Sequence, residues 1–341
     1  MIESAFKVVV AGQDVTSRWQ PTLLSVSVSR HARQEADEAQ MTLADPDGST
    51  LMPATGAVVV IELGHTGNGM GQVFEGFVDT VRSQGEKSSG HTLTIAASSV
   101  DNKSKVKAPG LRTAHDKTFG DVAQDWGQKA GLSVTVAGDV GDLHRPFWIM
   151  QHESFMSWGQ RMARELGASF KIIGNRGFFA PLNAGISATG QQLSPVYGAY
   201  GSNLLKWDIS PVRGRPQFSA VRGRHYDINS AKWREVEQLV EGANIDVDFR
   251  SLLGSANQAN AEQRSNAASR HVQRDRGDGS ATIIGDYAAE PEAQFILSGA
   301  RPGIDGSYAI DSVTHSLGKG SGFTTALDLS LPAAGAGRDD R

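Results

Sequence analysis

The chain has 341 residues, of which 39% are hydrophobic and 21% charged, with a formal net charge of −4 and no cysteine. Such a length supplies about two to three domains with proper cores, and the ordinary composition excludes wholesale disorder. The missing cysteine excludes disulfides, thiolate zinc sites and cysteine nucleophiles, and the acidic balance argues against general attraction to a nucleic-acid backbone.

At the N-terminus, MIESAFKVVVAG carries Glu3 and no long apolar core, so it reads neither as a signal peptide nor as a membrane anchor. No apolar run approaches the roughly 18 residues of a spanning helix. Glycine, 39 of 341 residues, exceeds the usual share of about 7%, and much of it separates alternating segments, as in a β-rich protein with many turns. Phe6 to Val10 is β-prone and runs into the turn GQDVT. Leu24, Val26 and Val28 alternate with Ser25, Ser27 and Ser29, the period of a half-buried strand. Met41 and Leu43 continue the pattern before the turn ADPDG, and Ala57 to Leu63 (AVVVIEL) is an apolar run of strand length. Gln72 to Val81, with Val73, Phe77 and Val81, and His91 to Ala97 complete an antiparallel barrel or sandwich. A basic, polar stretch, Lys103 to Ala108 (KSKVKA), followed by Pro109 and Gly110, marks a boundary.

A twofold block follows. Thr118 to Val136 (TFGDVAQDWGQKAGLSVTV) and Ser154 to Ile172 (SFMSWGQRMARELGASFKI) both open with a hydroxyl residue and Phe, carry one apolar helical face, stop at Gly and enter a short strand. Thr118 is the expected N-cap of the first helix, with Asp121 three residues on. Its stripe is Phe119, Val122, Ala123, Trp126 and Ala130, and Gly131 supplies the left-handed stop. In the second copy Ser154 caps, Phe155, Trp158, Met162 and Leu166 form the stripe, and Gly167 ends the helix. Each helix is expected on a small sheet built partly from its own tail, and Tyr197 to Ser202 (YGAYGS) reads as the exit.

Beyond Asn203 the β pattern returns, with Leu205, Trp207 and Ile209 alternating and strands expected over Gln217 to Arg224 and Lys232 to Val240. Ser255 to Arg276 reads as a helix whose weak apolar face, Ala256, Ala259, Ala267 and Val272, packs lightly or against another subunit. The clearest strand places Phe323, Thr325, Leu327, Leu329 and Leu331 on one face, and GKGSG joins it to Tyr308 to Leu317. After Pro332 a disordered tail is expected.

Catalytic candidates are thin. His152-Glu153 invites comparison with a zinc-binding HExxH helix, but Met156 stands where the second imidazole belongs. Gly67, Gly69 and Gly71 precede a strand, whereas a phosphate-cradling loop needs a helix N-terminus, so a hairpin tip is expected. No GxSxG offers a nucleophile elbow, and no carboxylate sits in an aromatic, sugar-binding context. Arg213, Arg215, Arg222 and Arg224 form the one local basic concentration, read either as solvated side chains beside turn glycines or as contacts to a partner protein. No catalytic, cofactor-binding or metal residue is assigned, and no cofactor is expected.

GQDVTSRWQPTLLSVSVSR, EADEAQMTLADPDG and GAVVVIELG together resemble the opening of the phage late control gene D proteins, the tail hubs of contractile phages and R-type pyocins, similar in fold to the hub portion of VgrG spikes. The resemblance continues in TFGDVAQDWGQKAGLSV and HESFMSWGQRMARELGASFKI, covers about the first 180 residues well and extends to the remainder by architecture. It implies an α+β, mainly β chain with two tube-type antiparallel β-barrel domains, 1–107 and 201–332, an inserted helix-strand domain over 108–200, and a flexible tail over 333–341. It further implies a non-enzymatic hub whose homotrimer joins the sixfold tail tube to the threefold central spike. Tail tube protein, central spike protein, other baseplate proteins and the tape measure protein are the implied partners, without specific nucleic-acid recognition or a membrane anchor. Its place would be the host bacterial cytoplasm during assembly and then the virion tail baseplate. The alternatives are a tail-associated cell-wall-degrading enzyme and a carbohydrate-binding receptor module.

Overall fold

A computed structural model describes residues 3–32, 36–87, 90–101, 105–182, 185–187, 191–211, 218–227, 229–240, 247–255, 257–274, 277–333 and 336. The first strands are β1 (Ser4–Val10), β2 (Gln13–Asp14), β3 (Leu23–His31), β4 (Glu38–Ala44), β5 (Val58–His65), β6 (Gly69–Glu86) and β7 (Gly90–Ser98), with the single-turn helix α1 (Thr16–Trp19) before β3. Next come β8 (Pro109–Thr118), α2 (Phe119–Lys129), β9 (Ser133–Val136), β10 (His144–Ser154), α3 (Phe155–Leu166), β11 (Ala168–Ile173) and β12 (Arg176–Pro181). The remainder is β13 (Val196–Ala199), β14 (Leu204–Ser210), β15 (Ala220–Asp227), β16 (Lys232–Leu239), β17 (Asp248–Ser255), α4 (Gln258–Arg274), β18 (Asp278–Ile284), β19 (Gln294–Ser298), β20 (Gly306–Gly318) and β21 (Gly322–Ala333). The molecule is α+β and mainly β.

Two sets of six strands share one plan. The first is ordered β3-β4-β7-β6-β5-β1 and the second β14-β18-β21-β20-β19-β13. Counting strands along the chain within each set, both orders are 2-3-6-5-4-1. The pairing registers match as well. Val26 faces Met41, Met41 faces Ile95 and Ile95 faces Val81, while Trp207 faces Ala281, Ala281 faces Leu327 and Leu327 faces Val313. Even the irregularities recur, because the pairing slips between Leu23 and Ser25 as between Leu204 and Lys206, and between Val78 and Thr80 as between Ile310 and Ser312. Asp79 and Asp311 are thus equivalent bulge residues, and bulges re-aim a strand at a fixed point. Both hairpins restart on a glycine at positive φ, Gly90 at 80° and Gly322 at 68°. One difference is that β1 runs antiparallel to β5, whereas β13 runs parallel to β19.

The sets are fused. The second half of β20, Ser312 to Gly318, pairs with β3, so a single 13-stranded sheet crosses from one set to the other. Among the described residues the pairings join both sets in one sheet with two cores, and closure of either set into a barrel is not seen. Val8, Val28, Met41, Leu43, Val59, Ile61, Leu63 and Ile95 fill the first core, and Phe295, Ile310, Val313 and Leu327 lie in the second. At about 25 cal/mol per Å² of apolar area, each such side chain contributes roughly 1.5–3 kcal/mol.

The helix-strand block forms a third core. Thr118 Oγ1 accepts from the Asp121 amide at 3.2 Å and Ser154 Oγ from the Ser157 amide at 3.1 Å, so both expected caps are present. Gly131 and Gly167 take left-handed φ values of 86° and 64° behind the two helices. The strands that lead into the caps, β8 and β10, pair with each other, and the tails β9 and β11 flank β12 in a three-stranded sheet beneath the helices. Phe119 stacks on Trp158 at 5.8 Å and meets Phe179 edge-on at 4.9 Å, an aromatic centre shared by both copies.

The helix expected over 255–276, α4, lies on β15 and β16 of its own chain and against α3. Small buried residues permit close approach, Ala261 and Ser265 over Gly223 and Ala267 over Gly167, so a weak apolar stripe suffices. Leu331 leaves the face shared by Phe323, Thr325, Leu327 and Leu329, because φ of 48° at Leu331 and buried Ser330 break the alternation. Lys103, Gln217, Ala256, Arg276 and most of the expected tail lie outside the described residues.

Candidate interaction surfaces

The residues singled out for chemistry have ordinary structural surroundings. His152 occupies a bulge of β10 at φ of 51°, and Glu153 is held by Arg161 at 2.5 Å. Gly67 and Gly69 form the tip of the β5-β6 hairpin, while Gly71 carries the Tyr287 ring, which a Cβ there would meet at 2.2 Å. Arg222, on β15, faces Asp248 at 2.8 Å, Glu237 at 3.2 Å and Glu235 at 3.7 Å. Arg224 lies over the Trp233 ring, 5.1 Å from its centroid. The pair therefore binds acidic and aromatic groups of neighbouring strands, while Arg213 and Arg215 lie outside the described residues. Among the described residues there is no group of three or more His, Asp or Glu able to hold a metal, and no helix long and apolar enough to cross a membrane.

Charge is concentrated where the three cores meet. Asp37 receives Lys171 at 2.8 Å and Arg30 at 3.7 Å, and Arg30 reaches Glu290 at 3.4 Å. Arg30, Lys171 and Glu290 border a cavity of about 340 Å³ shared with Ser187, Gln192 and Glu292. Burial pushes the Lys171 ammonium below its ordinary value, with Asp37 opposing the shift. Nearby, fully buried Arg274 bonds Glu292 at 2.7 Å and also Asp311. Burial opposes its charge, but the two carboxylates outweigh that and raise its pKa. A third knot ties α3 to α4: Glu165 accepts from Arg145 at 3.1 Å and from Arg264 at 2.9 Å. Burial acts against the Glu165 carboxylate, yet the two guanidinium groups hold it below its usual range. Each knot spans residues far apart in the chain, and no local motif announces them. Their arrangement holds charges fixed between elements, so it serves rigidity.

What remains open are strand edges. β14 pairs only with β18 among the described residues, and along it Leu205 is 54% exposed. Tyr197 and Tyr200 are exposed close by, and the Tyr200 ring meets Trp207 edge-on at 5.4 Å. Among the described residues the second half of β6 pairs with β7 alone, and Arg82 to Glu86 are exposed. An uncovered edge is a template for another strand, which natural proteins either blunt or use.

No family model matches the chain. It is 24% identical to the probable baseplate hub protein of Escherichia phage 186, an alignment covering 96% of this chain and 92% of that protein. Identity is 23% to the probable baseplate hub protein of Escherichia phage P2, with the same coverages of 96% and 92%. Among solved structures, the tail protein of Neisseria meningitidis MC58 superposes with a TM-score of 0.70 at 13% identity, covering 96% of both chains. A prophage MuSo2 tail protein from Shewanella oneidensis gives 0.67 at 13% identity, over 96% of this chain and 98% of that one. A type VI secretion component of E. coli gives 0.57 at 10% identity, over 94% of this chain and 76% of that one. Along nearly its whole length, the chain is therefore similar to phage baseplate hub proteins.

Proposed function

We propose that this chain is the structural hub of a contractile phage-like tail, in which a ring of three copies joins the sixfold tail tube to the threefold central spike. One observation carries the reading. A single chain holds two strand sets of the same order, with matching register over five of the six strands, so three chains supply six equivalent units facing the tube and still obey threefold symmetry at the spike. The likeness to phage hub proteins over the full length supports the same assignment.

In this reading 1–107 and 201–332 are the two tube-type domains, 108–200 is the bracing domain and 333–341 is a flexible tail. The contacts are with tail tube protein, central spike protein, other baseplate proteins and the tape measure protein. Assembly takes place in the host cytoplasm, and the finished hub sits in the virion tail baseplate. The role is non-enzymatic, carried by subunit interfaces and rigid charge knots. Light scattering on purified protein should return the mass of three chains, and images of assembled particles should place a threefold ring at the tip of the tube. A stable monomer at every concentration, with no ring in assembled tails, overturns the proposal. Release of labelled peptidoglycan fragments by the purified chain overturns the non-enzymatic part.

A further inference from the structure

The contact that fuses the two strand sets has an unfilled counterpart. Inside the chain, β3, the second strand of the first set, lies along the second half of β20, the fifth strand of the other set. By the shared register, the equivalent of β3 is β14 and the equivalent of β20 is β6. The stretch of β6 that matches Ser312 to Gly318 of β20 is Thr80 to Glu86, and among the described residues no strand lies along its second edge. β14 is the matching second strand, and among the described residues no strand pairs with its outer edge.

Burial follows the same division. Val313, His315 and Leu317 of β20 are buried beside β3, whereas their counterparts Ser83 and Gly85 on β6 are exposed and Val81 is half-buried. Val26 and Val28 of β3 are buried, whereas Trp207 and Ile209 of β14 are half-exposed. Two edges of the same design are thus paired within the chain at one junction and, among the described residues, carry no strand at the other.

We propose that β14 of one copy adds antiparallel to the second half of β6 in the next copy, repeating between chains the β3-β20 junction made within each chain. This rests on the ring reading given above and specifies its interface. Transferring the observed register of β3 on β20 places Ser210 opposite Arg82, Ile209 opposite Ser83, Asp208 opposite Gln84, Trp207 opposite Gly85 and Lys206 opposite Glu86. The side chains then fit. The two large residues of β14 each meet a small one, Trp207 over Gly85 and Ile209 over Ser83. Lys206 and Glu86 are of opposite charge, and Asp208 lies diagonal to Arg82, the cross-strand arrangements that stabilise an antiparallel pair. The interface is heterologous, one edge donating and a different edge receiving, so it propagates from copy to copy and must close into a ring or extend indefinitely.

The absence of native cysteine makes the register directly testable. Glu86→Cys and Lys206→Cys chains, each with a single thiol, are co-expressed, purified and oxidised. A disulfide-linked two-chain product is expected from the mixture and from neither chain alone. The chain carrying both substitutions should give bands of one, two and three chains and nothing longer. Ser27→Cys with Ser316→Cys, facing residues of the internal junction, should cross-link within one chain and serve as the standard. Arg82→Cys with Lys206→Cys, about four residues out of register and so roughly 13 Å apart, should give no product. If light scattering reports three chains while the Glu86 and Lys206 thiols react with maleimide yet never join, this strand pairing is overturned and the three-copy ring stands. If the ladder runs beyond three chains, the pairing holds and threefold closure is overturned. A monomer that gives no cross-link overturns both. The exchanged pair Glu86→Lys with Lys206→Glu should recover assembly that either single reversal weakens, and failure of that rescue counts against the register.

Discussion

At the scale of single residues, close packing decides several outcomes against local propensity. Gly159 sits inside α3, where alanine ordinarily adds up to about 1 kcal/mol of helix stability. A Cβ there would lie 2.5 Å from the buried Phe170 ring. Gly159→Ala is therefore expected to lower stability by about 1–3 kcal/mol in urea denaturation, the cost of overpacking. His315 is fully buried, and burial first, then the Arg30 charge, pushes its pKa down to about 3 from an ordinary 6.5, with a backbone hydrogen bond at Ala289 opposing. The unfolded chain takes up the proton near pH 6.5 and the folded chain does not. The contribution of this group is therefore complete above that value and is lost as pH falls toward about 3, by at most about 1.4 kcal/mol per pH unit. Comparing denaturation midpoints of the parent and His315→Gln at several pH values should show a shallower acid slope in the variant. Arg274→Met leaves buried Glu292 and half-buried Asp311 without their guanidinium partner, and a loss of about 3–5 kcal/mol is expected by the same denaturation measurement. Residues whose role is local were legible beforehand: Thr118, Ser154 and Gly167 behave as their caps and stop predicted. Arg274, Lys171 and Glu165 were not, because a buried ion pair depends on which distant carboxylate arrives beside it.

At the scale of elements, amphipathic helices and alternating strands could be read directly, and elements with neither signal could not. The stripes of α2 and α3 are long and apolar, and each lies buried along its helix. β8 and β10 escaped notice because their exposed face carries Leu111, His115 and Phe147 as well as polar residues, which blurs a period of two. For α4 the helix was evident, but its seat was not. The determinant is Gly223 on β15, where a Cβ would lie 2.5 Å from Ser265 Oγ on the helix. Gly223→Val should lift α4 from its sheet, seen as faster proteolysis within Gln258–Arg274 while the β3-β20 junction stays protected from hydrogen exchange. The twofold helix-strand block stood out since its helices repeat Gly, Trp and Phe. The repeat of the strand sets lies in spacing and bulges rather than in identities. Leu23 to Ser29 (LLSVSVS) and Leu204 to Ser210 (LLKWDIS) share their frame, as do Val78 to Val81 (VDTV) and Ile310 to Val313 (IDSV), yet each match is too short to separate from chance.

At the scale of the whole molecule, the two strand sets are not decorated alike. Between the second and third strands the first set has only the short connection from Ala32 to Asp37, whereas the second carries β15, β16, β17 and α4 at the same point. In the proposed annulus, plain and embellished segments would therefore alternate. The wall built from the common strands would look hexagonal to a tube stacked on it, while the periphery, marked at every other segment, would look triangular. A single polypeptide would in this way convert one rotational symmetry into another by where its extra elements branch off, with no adaptor placed between.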